Sequence, residues 1–187
     1  MKAWQHFKTI TKHRWLVRGG CFRVGLYWQG LTHDLSKYTP TEFWNGAHYY
    51  QGTRSPNNAE REEKGYSEAW MHHKGRNPHH YEYWQDNFDN GGEAKEMPWK
   101  YKVEMICDYL GAARAYMGKN FSYKAELEWW NNKMKQPRRQ HFNDMAFVGR
   151  VLTQLAHEEK LNRTKESTDL LKYVLVVEKK RMYGENC

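Results

Sequence analysis

Within SEAWMHHKGRNPHHYEYW, Ser67 to Trp84, stand four of the chain's ten histidines, as two adjacent pairs, His72-His73 and His79-His80. Imidazole is a strong ligand for first-row transition metals and titrates near neutrality, so such a cluster offers metal binding or proton transfer. A solvated polar loop would account for one or two of these rings. It accounts poorly for all four, flanked as they are by Trp70, Tyr81, Tyr83 and Trp84. One member of each pair is expected to reach a metal, and its neighbour to support it or meet the substrate. Taking the first of each pair as the ligand gives His72 and His79, with His73 and His80 facing the substrate. Lys74 and Arg76, between the pairs, would supply positive charge for phosphate.

The phrase THDLSKYTP, Thr32 to Pro40, puts an imidazole beside a carboxylate at His33-Asp34. That combination suits zinc, manganese, iron or nickel. Lys37 follows three residues after Asp34, where an ordinary intrahelical ion pair is the plain explanation. The chemical one is a metal-binding pair with a cation beside it for a phosphate oxygen. His13 falls between Ile10 and Val17 on an apolar stripe, so its ring is expected to face inward. A lone histidine there is more often a hydrogen-bonded core residue than a ligand. Asp108 lies mid-helix with Tyr101, Met105, Ala112 and Ala115 on its face. A carboxylate in such surroundings needs a partner, which a metal would supply.

These residues need elements to hold them, and the pattern is helical almost throughout. Trp4, Phe7, Ile10 and Val17 predict a helix near 2–18, interrupted by Gly19-Gly20. A second helix is expected over Cys21 to Lys37, with Val24, Trp28, Leu31 and Leu35 on one face. Thr39-Pro40 opens a short third helix. Residues 51–65 read as a loop, Ser67 to Lys74 as a helix, and Asn77-Pro78 as the start of another. Residues 86–96 read as a second loop. Pro98 opens the clearest helix, with Val103, Ile106, Leu110, Ala113 and Met117 as its stripe. Further helices are expected near 122–134, 138–160 and 167–183. The class is all-α: one domain over residues 1–187, a single helical bundle.

The 187 residues suffice for one real core, and 39% apolar with 28% charged residues is an ordinary globular mix. Nine Trp and thirteen Tyr are unusual, and can fill a core or line a polar-edged pocket. The net charge of +8 favours anionic partners, a phosphate or nucleotide first and nucleic acid second. Three cysteines, Cys21, Cys107 and Cys187, widely spaced and without a CxxC, argue against a disulfide framework or a thiolate zinc site. The segment MKAWQHFKTITKHRWLVRGG lacks the apolar region of a signal peptide, and no window approaches a membrane span. A reducing, cytoplasmic setting is expected.

The ordered series His13, His33-Asp34, His72 or His73, His79 or His80, Asp108 resembles the HD-domain metal-dependent phosphohydrolase superfamily. That fold is all-α, with a metal pattern H…HD…D. The extra histidines are similar to its two-metal form, H…HD…H…H…D, found in HD-GYP phosphodiesterases and in diiron oxygenases related to myo-inositol oxygenase. HDLSK with HHxxxxxHHxxYW also resembles an uncharacterised group of bacterial and phage proteins. The resemblance covers about 13–117. It implies an HD-like metal-binding core over 1–120 and a helical extension over 121–187. It further implies one or two divalent transition-metal ions (Mn, Fe, Ni, Co or Zn). His13, His33, Asp34 and Asp108 would hold the first, and one histidine of each pair the second, with Asp34 bridging. Asp34 and Lys37 would be the catalytic residues. The expected activity is hydrolysis of a nucleotide or related small phosphate. Two other readings use the same residues or charge: a diiron oxygenase, and a non-catalytic protein binding nucleotide or nucleic acid through 133–139 and 160–165.

Overall fold

Helix α6, Trp99–Met117, is the axis on which the rest is arranged, and its sequence gives it two working faces. Val103, Ile106 and Leu110 are fully buried against the C-terminal helices. On the other side Glu104, Cys107, Asp108 and Gly111 face the N-terminal helices. In chain order the helices are α1 Lys2–Arg23, α2 Tyr27–Thr32, α3 Pro40–His48, α4 Pro56–Lys64, α5 Glu68–Lys74, α6, α7 Tyr123–Lys133, α8 Phe142–Lys160 and α9 Leu170–Tyr183. The computed structural model describes residues 2–161 and 170–184. Among these the architecture is all-α, with one isolated bridge between Gln85 and Ala94. Among the described residues no helix is long and apolar enough to cross a membrane. Residues 162–165 of the second basic segment, 167–169 of the expected last helix, and Cys187 lie outside the described residues.

The apolar core is built mainly by the C-terminal third. Trp130 from α7, Phe147, Val148, Val151, Leu152 and Leu155 from α8, and Val174 and Leu175 from α9 pack with α6. Burying a side chain of this size is worth roughly 1.5–3 kcal/mol. Residues 121–184 thus anchor the helix that carries Glu104 and Asp108. Lys102 is fully buried and pairs with Glu96 and with Asp144 (3.1 Å), while Asp144 accepts from the Met97 amide (3.1 Å). This network fixes the start of α6 to α8.

Helix α1 runs straight through Gly19-Gly20 to Arg23, where the sequence suggested an interruption. Gly19 faces open space, whereas Gly20 serves packing. A Cβ on Gly20 would lie 3.3 Å from the Cys107 sulfur, and one on Gly111 would lie 2.5 Å from Val17 Cγ2. The two helices therefore approach more closely than side chains would allow, which offsets the roughly 1 kcal/mol cost of glycine within a helix. That approach brings His13 on α1 to Asp108 on α6. Gly111→Val should lower stability by about 1–3 kcal/mol through overpacking and weaken metal retention by prising the two apart. Thermal denaturation with metal analysis reads both effects, and a variant as stable as the parent would deny the close packing.

Two further expectations are corrected. The single helix over Cys21 to Lys37 is broken: α1 ends at Arg23, α2 spans only six residues, and Leu35–Tyr38 forms one 3-10 turn. Residues 56–64, expected as loop, form α4. Its polar sequence hid it, although Pro56 at its first turn and Gly65 in the left-handed conformation (φ 82°) at its end are ordinary helix punctuation. It is held by tertiary contacts: buried Glu60 accepts from Ser67 Oγ (2.6 Å) and the Glu68 amide (3.1 Å) at the start of α5.

Candidate metal centre

The break after α2 makes the centre. His33 ends α2 in an extended conformation, and Asp34 follows with φ 55°, the only positive φ of a non-glycine among the described residues. Aspartate tolerates this conformation better than most residues, at a cost of order 1 kcal/mol. Adjacent residues on a helix would diverge by about 100°. Here the reversal turns both side chains inward, and His33 and Asp34 are essentially fully buried.

Asp34 divides its two oxygens between two groups of donors. Oδ2 lies 3.3 Å from His13 Nε2 and 3.3 Å from His33 Nε2. Asp108 Oδ1 closes this group at 3.0 Å from His13 Nε2 and 3.5 Å from His33 Nε2. Oδ1 of Asp34 lies 3.2 Å from His73 Nε2 and 3.4 Å from His79 Nε2. His80 Nε2 completes the second group, 2.9 Å from His73 Nε2. Donors about 2.0–2.2 Å from a shared ion, at tetrahedral or octahedral angles, stand roughly 3.0–3.5 Å apart. Four of these atoms, His13 Nε2, His33 Nε2, His79 Nε2 and Asp34 Oδ1, are buried without a hydrogen-bond partner. Unpaired buried polar atoms are costly, and four aimed at one small volume form groups that could hold a metal ion.

The outer nitrogens are also engaged. Glu104 Oε1 holds His33 Nδ1 (3.0 Å) and His79 Nδ1 (3.2 Å), one ring from each donor group. Glu42 on α3 holds His73 Nδ1 (2.7 Å) and His72 Nδ1 (2.7 Å). Carboxylates behind the rings fix which nitrogen faces a metal and raise its basicity. The close spacing of charges shows in the titration of the site. Burial alone would lower the His33 pKa, but the Asp34 charge, with Asp108 and Glu104, raises it well above the usual value. Burial and neighbouring His79 and His73 push His80 well down, which leaves it a neutral donor. Burial opposes ionisation of Asp34 and Asp108, yet His33, Lys37 and His73 around the first, and His13 and His33 around the second, hold both well below the usual carboxylate range.

His13, His33, Asp34, His79 and Asp108 thus converge as their order in the chain suggested. His72 does not join them. Helix α5 can aim only one of two adjacent residues inward, and it is His73, 2% exposed, that faces Asp34, while His72 turns to Glu42. His73 and His80 were expected to meet substrate, and both stand among the metal-facing donors. His79 and His80 enter together because residues 75–80 form no helix; the expected start at Asn77-Pro78 yields only a 3-10 turn, Tyr81–Trp84. Asn77 instead donates to the His73 carbonyl (2.8 Å) and to Ser36 Oγ (2.8 Å). Lys37 donates to Asp34 Oδ2 at 2.5 Å, and Asp34 keeps its ammonium protonated against the pull of burial. Arg76 is exposed and donates to the His72 carbonyl (3.1 Å), and Lys74 makes no hydrogen bond or ion pair with the centre.

Glu104 and Glu42 escaped the sequence reading. Glu104 sits one helical turn before Asp108, so its face was legible from spacing alone; Glu42 had no local signal. Glu104→Gln should reduce metal affinity about 10–100-fold while the protein stays folded, since it supports one histidine on each side. Metal competition with a chromogenic chelator measures this, and unchanged affinity would reduce Glu104 to a packing role.

The chain matches, over residues 2–154, a family described as a family of unknown function (DUF5662). No curated protein and no solved structure matches it. The match runs from α1 through most of α8, taking in every donor of the centre, and the chain belongs to this family of unknown function.

Proposed function

We propose that the protein is a metal-dependent phosphohydrolase of the HD type, acting on a nucleotide or related small phosphate. The observation that carries this reading is the single Asp34 carboxylate shared between two groups of buried histidines, with Lys37 on its Oδ2. His13, His33 and Asp108 would hold one divalent ion and His73, His79 and His80 the other. Such ions lower the pKa of bound water and neutralise phosphate oxygens.

The remaining work falls to the chain. His33 and His79 side chains are sealed, whereas those of Asp108, His13 and Lys37 are 12%, 10% and 28% exposed. Substrate therefore approaches over Asp108 and Lys37. The Lys37 ammonium meets a phosphate oxygen there, and more strongly as charge develops in the transition state. Glu104 and Glu42 keep the rings from turning as the charge changes. The test is turnover by manganese-loaded protein across nucleoside mono-, di-, tri- and cyclic phosphates. Phosphate release from at least one class is expected. Turnover that needs iron and consumes oxygen would favour an oxygenase using the same donors, and nucleotide retained without turnover would favour a binding protein.

A further inference from the structure

Helix α1 turns His6, Ile10, His13, Val17 and Cys21 inward. About 140° around its axis runs another line: Trp4, Lys8, Thr11, Trp15, Arg18 and Phe22, spaced three or four residues apart. Aromatic rings and cations alternate along it. Lys8 lies over the Trp4 ring at 5.2 Å, and Arg18 lies over Trp15 at 4.8 Å and Phe22 at 4.9 Å. Trp4 and Trp15 are 60% and 62% exposed, and Trp28 of neighbouring α2 is 71% exposed. Large aromatics this open are unusual unless something covers them.

Open aromatics occur elsewhere too, as at Trp44 and Phe142, but on α1 they share their face with cations. Six Lys and Arg stand on α1, and the first acidic residue of the chain is Asp34. Lys12 and Arg14 are spent on backbone carbonyls (Ala115, His33 and Leu31); of the remaining Lys2, Lys8, Arg18 and Arg23, Lys8 and Arg18 have rings of the outer line as their neighbours. We propose that this outer face of α1 binds single-stranded nucleic acid, bases stacking on Trp4 and Trp15 and phosphates meeting Lys8 and Arg18. The helix offers a track of about 33 Å. Stacking platforms interleaved with cations are what a chain of planar bases and phosphates requires.

Other occupants fit less well. A second copy of the same face would set cations against cations with no acid to answer them. A lipid surface wants a continuous apolar face flanked by cations, whereas here every second position is charged or polar and would be forced among acyl chains.

The test is fluorescence anisotropy of a labelled oligothymidine of about twenty nucleotides, titrated with the full chain at several salt concentrations. Binding that weakens with salt is expected. Trp15→Ala should weaken it about tenfold, and Lys8→Gln with Arg18→Gln should flatten the logarithmic salt dependence by about 0.7 per cation removed. All three side chains lie on the outer face, so metal uptake by the variants should match the parent and certifies their fold. Absence of binding at low salt overturns the proposal. So does equal affinity in both variants, equal binding of a duplex, or sedimentation with phosphatidylserine vesicles in place of the oligonucleotide.

Discussion

If the proposed function holds, Asp34→Asn is expected to leave a folded helical protein that has lost its metal and at least about a thousandfold in turnover. Asparagine keeps the shape of the side chain and tolerates the left-handed backbone at this position, so the fold is spared. The double role of the carboxylate is not. With no anion between the groups, His13 and His33 on one side and His73 and His79 on the other lose the carboxylate that joins them. Lys37 loses its partner as well. Asp34→Ala should behave alike in metal content, with a further stability loss of about 1 kcal/mol from forcing alanine into that conformation. Metal analysis beside circular dichroism is the measurement. A folded Asp34→Asn protein that still carries its full metal complement would show that the carboxylate bridges nothing.

Lys37→Ala fails differently. A protonated ammonium has no lone pair, so Lys37 is no metal ligand, and its removal leaves the donors of both groups in place. Metal content and fold are expected to stay, while kcat/KM falls about a hundred- to a thousandfold, the usual scale of one preorganised electrostatic contact. Lys37→Arg should recover part of this by restoring the charge. Were the lysine only a surface partner for Asp34, the cost would be about 0.3–0.5 kcal/mol of stability with no kinetic consequence. Its side chain is mostly covered and its partner wholly so, which argues for the larger effect. Steady-state kinetics with metal analysis on the variant separates the two, and full activity would remove Lys37 from the site.

The sequence made parts of this arrangement legible and hid others for identifiable reasons. His13 and Asp108 could be placed because long amphipathic helices impose a 3.6-residue phase, and α1 and α6 are the long helices that carry donors of the centre. His33 and Asp34 were found as residues but set on a helix that does not exist. The left-handed turn at Asp34 carries no glycine or proline to announce it, and only burial among cationic partners sustains it. Choosing between His72 and His73 required the phase of a seven-residue helix, which depends on how α5 packs against α3. Gly19-Gly20 was read by intrinsic propensity, whereas the helix continues and Gly20 packs closely against Cys107. Glu42 shares no helix with the histidines it supports, so nothing local could have joined them.

The central claim is a pair of metal positions on either side of one carboxylate. Crystals of the manganese-loaded protein, measured above and below the manganese absorption edge, test it most directly. The arrangement predicts about two anomalous peaks per chain, an estimate from the donor count. One should lie among His13, His33 and Asp108, the other among His73, His79 and His80, with Asp34 between them. No peak among these residues, in protein that also fails to take up iron, nickel, cobalt or zinc, would contradict the account.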